Sequence, residues 1–375
     1  MTSFLCVIAV VSFLAGRLAD RVSRTALLSG GFYLASFALM AAGAVTSLPW
    51  FVAFVVFAGI GVSTFHPVMY AVIDESRDNR RGTMFACFEL FGAVGVVSLL
   101  ALNGLFGERL GFRSIVMLAC IPGLAAGTLF SFCRKSVDNT QLLEKPREEV
   151  PRPAFAGAGP FAHAAELASG VGSSALMAGF FASIILRTLT STAIMNFMPT
   201  YLALGAGLDA SLGTLAAGLL FVGAIIINLF SGGLVDRYGA DKLLLVSSLA
   251  AGALLVLTTY TASIATLPVT LITLGAAISA AIPAQNLMLS SLSPAGKKGT
   301  VFGTLMGIMT IANSIGPLLL GLVADRIGLS ATFRLASLPV LLSCVLVVFV
   351  ARKRRIAQLK AKQQKPAVLD MSNSP

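Results

Sequence analysis

Three ionisable side chains, Arg187, Glu89 and His66, fall inside long apolar segments of the sequence. A charge in hydrocarbon is costly, so such residues usually face the interior of a helical bundle and serve an ion or substrate pathway. With two histidines in the whole chain, they do not assemble into a catalytic triad, a carboxylate dyad or a metal site. We therefore expect substrate binding and proton transfer rather than catalysis: no enzyme, no cofactor and no metal.

Arg187 lies near the middle of its segment, about 17 Å along a helix by the usual rise per residue. At helical spacing it shares a face with Ser183, Thr190 and Ser191. This polar stripe predicts that the arginine faces a water-filled cavity and binds an anionic group. The competing interpretation is a structural arginine that hydrogen-bonds the carbonyls of a neighbouring broken helix.

Glu89 lies about 10 Å into its segment, counted from Gly82 at helical rise. Its helical neighbours Ala86, Gly92 and Ala93 are small, which predicts a face that packs inside the bundle. A carboxylate in that position can bind a proton or pair with a cation. The alternative is an ion pair with an arginine at a helix end.

His66 shares a helical face with Ser63 and Tyr70 and immediately precedes Pro67. An imidazole can carry a proton, which makes His66 a second candidate for coupling. The favoured interpretation is structural, because a proline inside a helix frees a backbone carbonyl that a neighbouring polar group must satisfy.

Composition places the chain in a membrane. Hydrophobic residues make up 57% and charged residues 11% of the sequence, against roughly 25% charged in soluble domains. The net charge of +11 does not indicate nucleic-acid binding, since 22 of the 27 lysines and arginines fall in alternate loops and the C-terminal tail. That distribution is typical of loops on the cytoplasmic side. The expected partners are a small-molecule substrate, protons and the lipid bilayer, and the expected state is a monomer.

A membrane-spanning helix needs about 20 mostly apolar residues. The sequence predicts eleven such spans, at 1–16, 25–46, 50–73, 82–104, 113–133, 175–203, 211–231, 242–262, 267–290, 299–321 and 332–351.

The sequence repeats itself at a nearly constant offset. Asp20 and Asp236 lie 216 residues apart, as do Pro67 and Pro283. Two further sets lie 217 residues apart: Arg81–Phe85 with Lys298–Phe302, and Gly104–Arg109 with Gly321–Arg326. A constant offset at separate places indicates a tandem duplication, so two parallel halves are expected.

The duplication predicts the domain organisation. The first half, 1–133, holds five spans, and the second half, 175–351, holds six. Between them lies a cytoplasmic linker, 134–174, and a basic cytoplasmic tail follows at 352–375. The repeat partner of span 175–203 would precede residue 1, so an expected twelfth helix is missing from the first half.

Both Asp-Arg loops resemble the loop motif of the major facilitator superfamily, a pattern like Gly-x-Leu-x-Asp-Arg-x-Gly-Arg-Arg, although Ser23 and Thr25 replace its glycine and its last basic residue in the first copy. The resemblance implies a helical bundle of two halves that transports solutes. It also implies a conformational latch, in which each aspartate binds a helix N-terminus of the other half and the arginines bind nearby acidic groups. The residues matching the first copy are Gly16, Leu18, Asp20, Arg21 and Arg24, and those matching the second are Gly232, Leu234, Asp236, Arg237 and Gly239.

Two further stretches, Gly59–Pro67 and Arg187–Leu202, resemble helices of the branch that includes the fosmidomycin-resistance exporters. The sequence therefore predicts a secondary transporter of the bacterial inner membrane, with a proton-coupled exporter first. A proton-coupled importer of an organic anion that uses Arg187 is the second interpretation. A transport-inactive relative that acts as a sensor or partner is the third.

Overall fold

The computed structural model describes residues 2–76, 80–133, 174–205, 207–260, 266–293 and 297–363. This part of the chain is helical. Its α-helices, numbered in chain order, are α1 Thr2–Ala19, α2 Arg24–Ala44, α3 Leu48–Val62, α4 Phe65–Glu75, α5 Arg81–Leu118, α6 Cys120–Phe132, α7 Ser174–Thr200, α8 Ala210–Tyr238, α9 Ala240–Thr258, α10 Leu267–Leu292, α11 Lys298–Ile327 and α12 Leu329–Gln363.

Ten helical segments in the described residues are long and apolar enough to cross a membrane, and an eleventh, Ile8–Ala19, is apolar but shorter. Apolar stretches of this length fold as helices because a helix satisfies its backbone hydrogen bonds without help from water. The prediction of an all-α polytopic membrane protein is confirmed.

Several helix boundaries differ from the prediction. The predicted span 50–73 consists of α3 and α4, which are separated by Ser63 and Thr64. Pro67 lies in the first turn of α4, where its missing N–H costs no helical hydrogen bond. The helix therefore breaks ahead of the proline rather than at it.

The fifth helix runs through the gap predicted between spans 82–104 and 113–133. Gly111 interrupts it with a φ of 74°, a left-handed conformation that glycine adopts without steric cost. The last helix, α12, continues past the predicted end at residue 351 to Gln363, so the first part of the basic tail is helical. Nearly all of the predicted linker 134–174, and the tail from residue 364, lie outside the described residues.

Helices α1–α6 are termed the first half and α7–α12 the second half. They meet through two equivalent helix pairs, α1 with α11 and α5 with α8. Gly16 packs against the backbone of Gly299 and Gly303, and Gly232 packs against the backbone of Thr83; a methyl group at either glycine would collide with those atoms. Small residues at crossings let two helices approach closely. The two crossings occupy repeat-equivalent places, as a parallel duplication requires.

A buried cluster drawn from both halves lies behind these crossings. It includes Tyr70 and Phe85 from the first half, with Phe180, Met288 and Phe302 from the second. Phe85 and Phe302 are themselves repeat-equivalent, and their ring centroids lie 6.1 Å apart. The core that positions the candidate site is therefore shared by both halves.

Candidate functional site

Both motif aspartates bind the first turn of a helix in the opposite half. Asp236 accepts hydrogen bonds from the backbone N–H groups of Gly82 at 2.9 Å and Thr83 at 3.1 Å, and from the Thr83 hydroxyl at 2.8 Å. The first N–H groups of a helix have no partner within it, and the helix dipole favours a negative charge there. Asp236 therefore ties the end of α8 to the start of α5.

Asp20 makes the equivalent contact in the other direction. It accepts hydrogen bonds from the backbone N–H groups of Gly299 and Thr300, each at 2.8 Å, and from the Thr300 hydroxyl at 2.6 Å. The two halves are thus joined twice at one end of the bundle, the end that carries both Asp-Arg loops, which is termed the motif end. The Asp20 contact exists only while α1 lies against α11, and the Asp236 contact exists only while α8 lies against α5.

Asp20 is more enclosed than Asp236, which is exposed. Burial raises the pKa of the Asp20 carboxyl above its ordinary value, while the bonds from Thr300 and Gly299 and the charge of Arg24 act in the opposite direction. The proton affinity of Asp20 consequently depends on whether the contact with α11 is formed.

Arginine contacts distinguish the two motif copies. In the first, Arg24 donates to both carboxylate oxygens of Glu75, one bond measuring 2.6 Å, and the two side chains are 3% and 5% exposed. In the second, Ala240 replaces the arginine, and Asp241 binds Arg354 of α12 at 3.1 Å with both side chains partly exposed. The first copy therefore carries the buried ion pair.

The remaining motif residues have simpler surroundings. Arg21 and Arg237 are exposed and form no salt bridge within the described part of the chain. The guanidinium of Arg237 lies 5.3 Å from the ring centroid of Tyr238. Gly239 ends α8 with a φ of 91°, which explains the glycine there.

A third tie between the halves was not anticipated from the sequence. Asp74, at the end of α4, pairs with Lys298 of α11 at 2.7 Å and lies 3.8 Å from Arg81. It also accepts a hydrogen bond from the hydroxyl of Ser290, at the end of α10. Asp74 and Ser290 are 216 residues apart, so equivalent positions of the repeat face each other. The 216-residue offset could have predicted this contact from the sequence, because the repeat axis brings equivalent residues together at the interface between halves.

Arg187, predicted to face a water-filled cavity, is nearly enclosed by neighbouring side chains. The residue is 9% exposed, and its guanidinium donates a hydrogen bond to the side-chain amide oxygen of Gln285 on α10. The Ser191 hydroxyl of the predicted polar stripe donates back to the Arg187 carbonyl at 2.8 Å. Among the described residues Arg187 has no acidic partner. It is a buried cation held by a neutral amide.

Glu89 has no arginine partner in the described residues; its partner is Tyr70, whose hydroxyl donates to the carboxylate. The Tyr70 ring packs edge-on against Phe302 of the second half, with the centroids 5.5 Å apart. Glu89 therefore connects, through one tyrosine, to the surface on which the halves meet.

His66 does not cap a backbone carbonyl among the described residues. The hydroxyls of Ser63 and Thr64 bind the carbonyls of Gly59 and Gly61 instead, at 2.6 and 2.9 Å. The imidazole lies between aromatic rings and borders a cavity of about 370 Å³. Neither Glu89 nor Arg187 lines that cavity. The structure thus separates the three candidates into three environments.

These residues can bind a small molecule and exchange protons with it or with water, and their contacts can break when the two halves move apart. The described residues contain no group of three or more His, Cys, Asp or Glu side chains that could hold a metal ion. The two carboxylates at helix N-termini, the pair at Asp74 and the Tyr70–Glu89 contact all lie at or beside the interface between halves.

A family model described as Major Facilitator Superfamily matches residues 1–186 and 180–371 of this chain. An uncharacterized MFS-type transporter, YuxJ of Bacillus subtilis, is 27% identical over 146 residues, covering 39% of this chain and 37% of the relative. The multidrug resistance protein MdtG of Escherichia fergusonii is 28% identical over 174 residues, covering 45% and 42%. The chain thus matches about two fifths of the length of these curated relatives.

Solved structures share the fold across most of the chain. The human organic anion transporter MFSD10 superposes with a TM-score of 0.76 at 19% identity, covering 92% of this chain and 82% of that protein. The proton:xylose symporter XylE superposes with a TM-score of 0.69 at 16% identity, covering 93% and 83%.

Proposed function

This chain belongs to the major facilitator superfamily, and from that premise we propose that it is a proton-coupled exporter of a small solute, working by alternating access. In this proposal it lies in the inner membrane of a bacterium, with the motif end, the linker and the tail in the cytoplasm. The excess of lysine and arginine in those loops supports that orientation.

The contact between Tyr70 and Glu89 carries the proposal. A coupling carboxylate must experience different surroundings in the two access states. Glu89 accepts its hydrogen bond from a tyrosine whose ring rests on Phe302 of the opposite half. When the halves rock apart, that ring loses its support and the bond to Glu89 is free to change. Proton binding at Glu89 and separation of the halves are then linked.

The motif contacts support the conformational part of the proposal. Asp20 and Asp236 hold the motif end closed through hydrogen bonds between halves, and Asp74 adds a charge pair to Lys298. Opening this end requires all three ties to break. Their combined role is that of a latch that stabilises one access state.

The buried arginine favours a second candidate function, proton-coupled import of an organic anion. Arg187 is a buried cation without an acidic partner among the described residues, so a substrate carboxylate would supply the missing negative charge. One structural neighbour, MFSD10, is described as an organic anion transporter, whereas MdtG is described as a multidrug resistance protein.

Two substitutions in everted vesicles separate these functions. Ethidium, a cation, and fluorescein, an anion, serve as probes under an imposed pH gradient. Export predicts proton-driven ethidium accumulation in everted vesicles that Glu89→Gln abolishes, while exchange without a gradient persists. Anion transport predicts fluorescein movement that Arg187→Ala abolishes in every mode.

Each outcome has a distinct meaning. Proton-driven accumulation that survives Glu89→Gln would remove Glu89 as the carrier. Fluorescein movement without ethidium movement would favour the anion function. If the vesicles move neither probe nor any other solute of a broad panel, the proposal of transport is contradicted. The remaining interpretation would then be a transport-inactive sensor or partner.

A further inference from the structure

A buried amide of the second half faces the contact between Tyr70 and Glu89. Asn286 lies on α10, is 0% exposed, and places its side chain beside the Tyr70 hydroxyl. Among the described residues, neither the nitrogen nor the oxygen of this amide has a hydrogen-bond partner. Buried polar groups are almost always paired, so an enclosed amide that lacks both bonds requires an explanation.

The repeat explains why these two side chains face each other. Tyr70 and Asn286 are 216 residues apart, as are Asp74 and Ser290, which lie one helical turn further along the same two helices. The Ser290 hydroxyl donates a hydrogen bond to Asp74. Helices α4 and α10 therefore cross with equivalent positions opposed, and the bond that exists at one turn is missing at the next.

The missing bond follows from how the Tyr70 hydroxyl is used. A tyrosine has one O–H donor, and Tyr70 donates it to the carboxylate of Glu89. An ionised carboxylate can only accept hydrogen bonds, so it retains that donor. The hydroxyl lies close enough to interact with Asn286, but the geometry of a hydrogen bond is not reached and the amide oxygen receives no donor.

Proton binding at Glu89 changes which groups can donate. A protonated carboxyl has its own O–H and can donate it to the tyrosine oxygen. The Tyr70 hydroxyl can then turn its hydrogen towards the amide oxygen of Asn286. The added proton comes from water and stays on the carboxyl, and the tyrosine keeps its own proton, so only hydrogen bonds are exchanged. A bond within the first half is thereby joined by a bond between the halves.

We infer that Asn286 is a positioning residue of the proton site, which accepts the Tyr70 hydroxyl when Glu89 is protonated and thereby holds α4 against α10. The inference rests on the proposed function, which makes Glu89 the proton carrier, and it names the residue of the second half that responds to the proton. The second half contains no equivalent carboxyl, because Met306 occupies the position 217 residues after Glu89.

Other ionisable groups lie near this contact. Those facing it from the packed helices are His66, whose ring centroid lies 5.7 Å from that of the tyrosine, and the group formed by Asp74, Arg81 and Lys298 one turn further along. Helix α10 has no ionisable residue. Measurements at one fixed pH, in which the carboxyl is changed by substitution, therefore separate this site from the neighbouring groups.

Infrared spectroscopy of the protein labelled with carbon-13 tyrosine tests the change of hydrogen-bond partner. Tyr70→Phe identifies the C–O band of Tyr70 among the five tyrosines, and Glu89→Gln supplies an uncharged donor in place of the protonated carboxyl. At alkaline pH, Asn286→Leu should leave the Tyr70 band unchanged when Glu89 is present, because the hydroxyl donates to the carboxylate. In Glu89→Gln, the same substitution should shift the band. An asparagine with a merely structural role would shift it in both backgrounds or in neither.

Spin labels at Arg21 and Lys297, both exposed, test the consequence for the two halves in a cysteine-free background. At fixed pH, Glu89→Gln should raise the ratio of closed to open motif end about fivefold, the effect of one added hydrogen bond. Asn286→Leu, which keeps the volume, and Asn286→Ala, which only removes the amide, should each cancel this rise.

A second buried asparagine provides the matched control. Asn228 donates to Ser279 at 3.1 Å within the second half, so Asn228→Leu should leave the fivefold response to Glu89→Gln intact. The inference is overturned if Glu89→Gln does not raise the closed population, if the rise persists in both Asn286 variants, or if the Tyr70 band ignores Asn286 in the Glu89→Gln background. Neither measurement needs a substrate or a gradient. The expected results in a protein that moves no solute would therefore count against the proposed function alone.

Discussion

The two halves of this protein share a repeat but differ in where they place charge and space. The first half carries a buried ion pair, Arg24–Glu75, at its motif end and leaves a cavity between α1 and α3. The second half replaces Arg24 with Ala240 and closes α8 onto α10 through Gly275. Both keep the aspartate contact between halves. The repeat-equivalent contacts between the halves are therefore alike, whereas the buried ion pair is found in the first half.

This comparison separates two kinds of stability. In the second half, α8 and α10 are held together by close approach of their backbones at Gly275 and by a hydrogen bond from the Asn228 side chain to the Ser279 hydroxyl. In the first half, a buried salt bridge joins Arg24 of α2 to Glu75 of α4, and such a pair is sensitive to the loss of either partner.

The largest effect is expected at the ion pair. Glu75→Gln leaves the Arg24 charge buried without its partner, and loss of one member of a buried pair typically costs about 3–5 kcal/mol. The nearby carboxylate of Asp20 should keep the loss at the lower end of this range. The measurement is the free energy of unfolding in mixed micelles.

The second motif copy offers the matched control. Arg354→Ala breaks the Arg354–Asp241 pair, whose side chains are 25% and 40% exposed, and exposed pairs contribute about 0–1 kcal/mol. If Glu75→Gln and Arg354→Ala lowered the free energy of unfolding equally, the two motif copies would not differ in the energetic role of their ion pairs.

An intermediate effect is expected from paired glycine substitutions. Gly275→Ala puts a methyl group against the Leu220 backbone, and such overpacking costs about 1–3 kcal/mol. Gly218→Ala, on the same helix as Leu220, places its methyl group in open space and should gain up to about 1 kcal/mol from the higher helix propensity of alanine. Thermal unfolding of both variants checks this, and a similar loss in each would contradict the close packing of Gly275 against α8.

The smallest effect concerns pH. Burial raises the pKa of Asp20 when it lies against α11, so the latched state binds a proton more tightly than the released state. Acidification towards the raised pKa should favour the latched state, and the preference should fade as the pH rises above it. Spin labels at Arg21 and Lys297, both exposed, measure the two populations by their separation in a cysteine-free background.

Two isosteric variants sharpen the pH experiment. Asp20→Asn should abolish the pH dependence. Asp236→Asn should retain it, because Asp236 is exposed and takes no part in the contact between Asp20 and α11. A pH dependence that persists in Asp20→Asn would assign it to another group at the motif end.

Much of this protein follows from the sequence alone. Segment hydrophobicity is a local property, so the spans, the helical class and the repeat could be predicted without coordinates. The aspartate contacts were also accessible, since a repeated motif with a fixed place in a family implied them. Helix ends were less accurate, because turns such as Ser63–Thr64 and Gly111 depend on single residues whose effect the hydrophobic pattern does not record.

Only the tertiary structure decided which polar groups meet. The sequence placed Arg187 on a polar stripe and His66 as a cap, but the structure directs the first to Gln285 and leaves the second beside a cavity. Facing partners depend on how each helix is rotated and where it crosses its neighbours, and a spacing along one helix contains neither quantity. The Tyr70–Glu89 and Asp74–Lys298 contacts join residues of different helices, so they exist only once the helices have packed together.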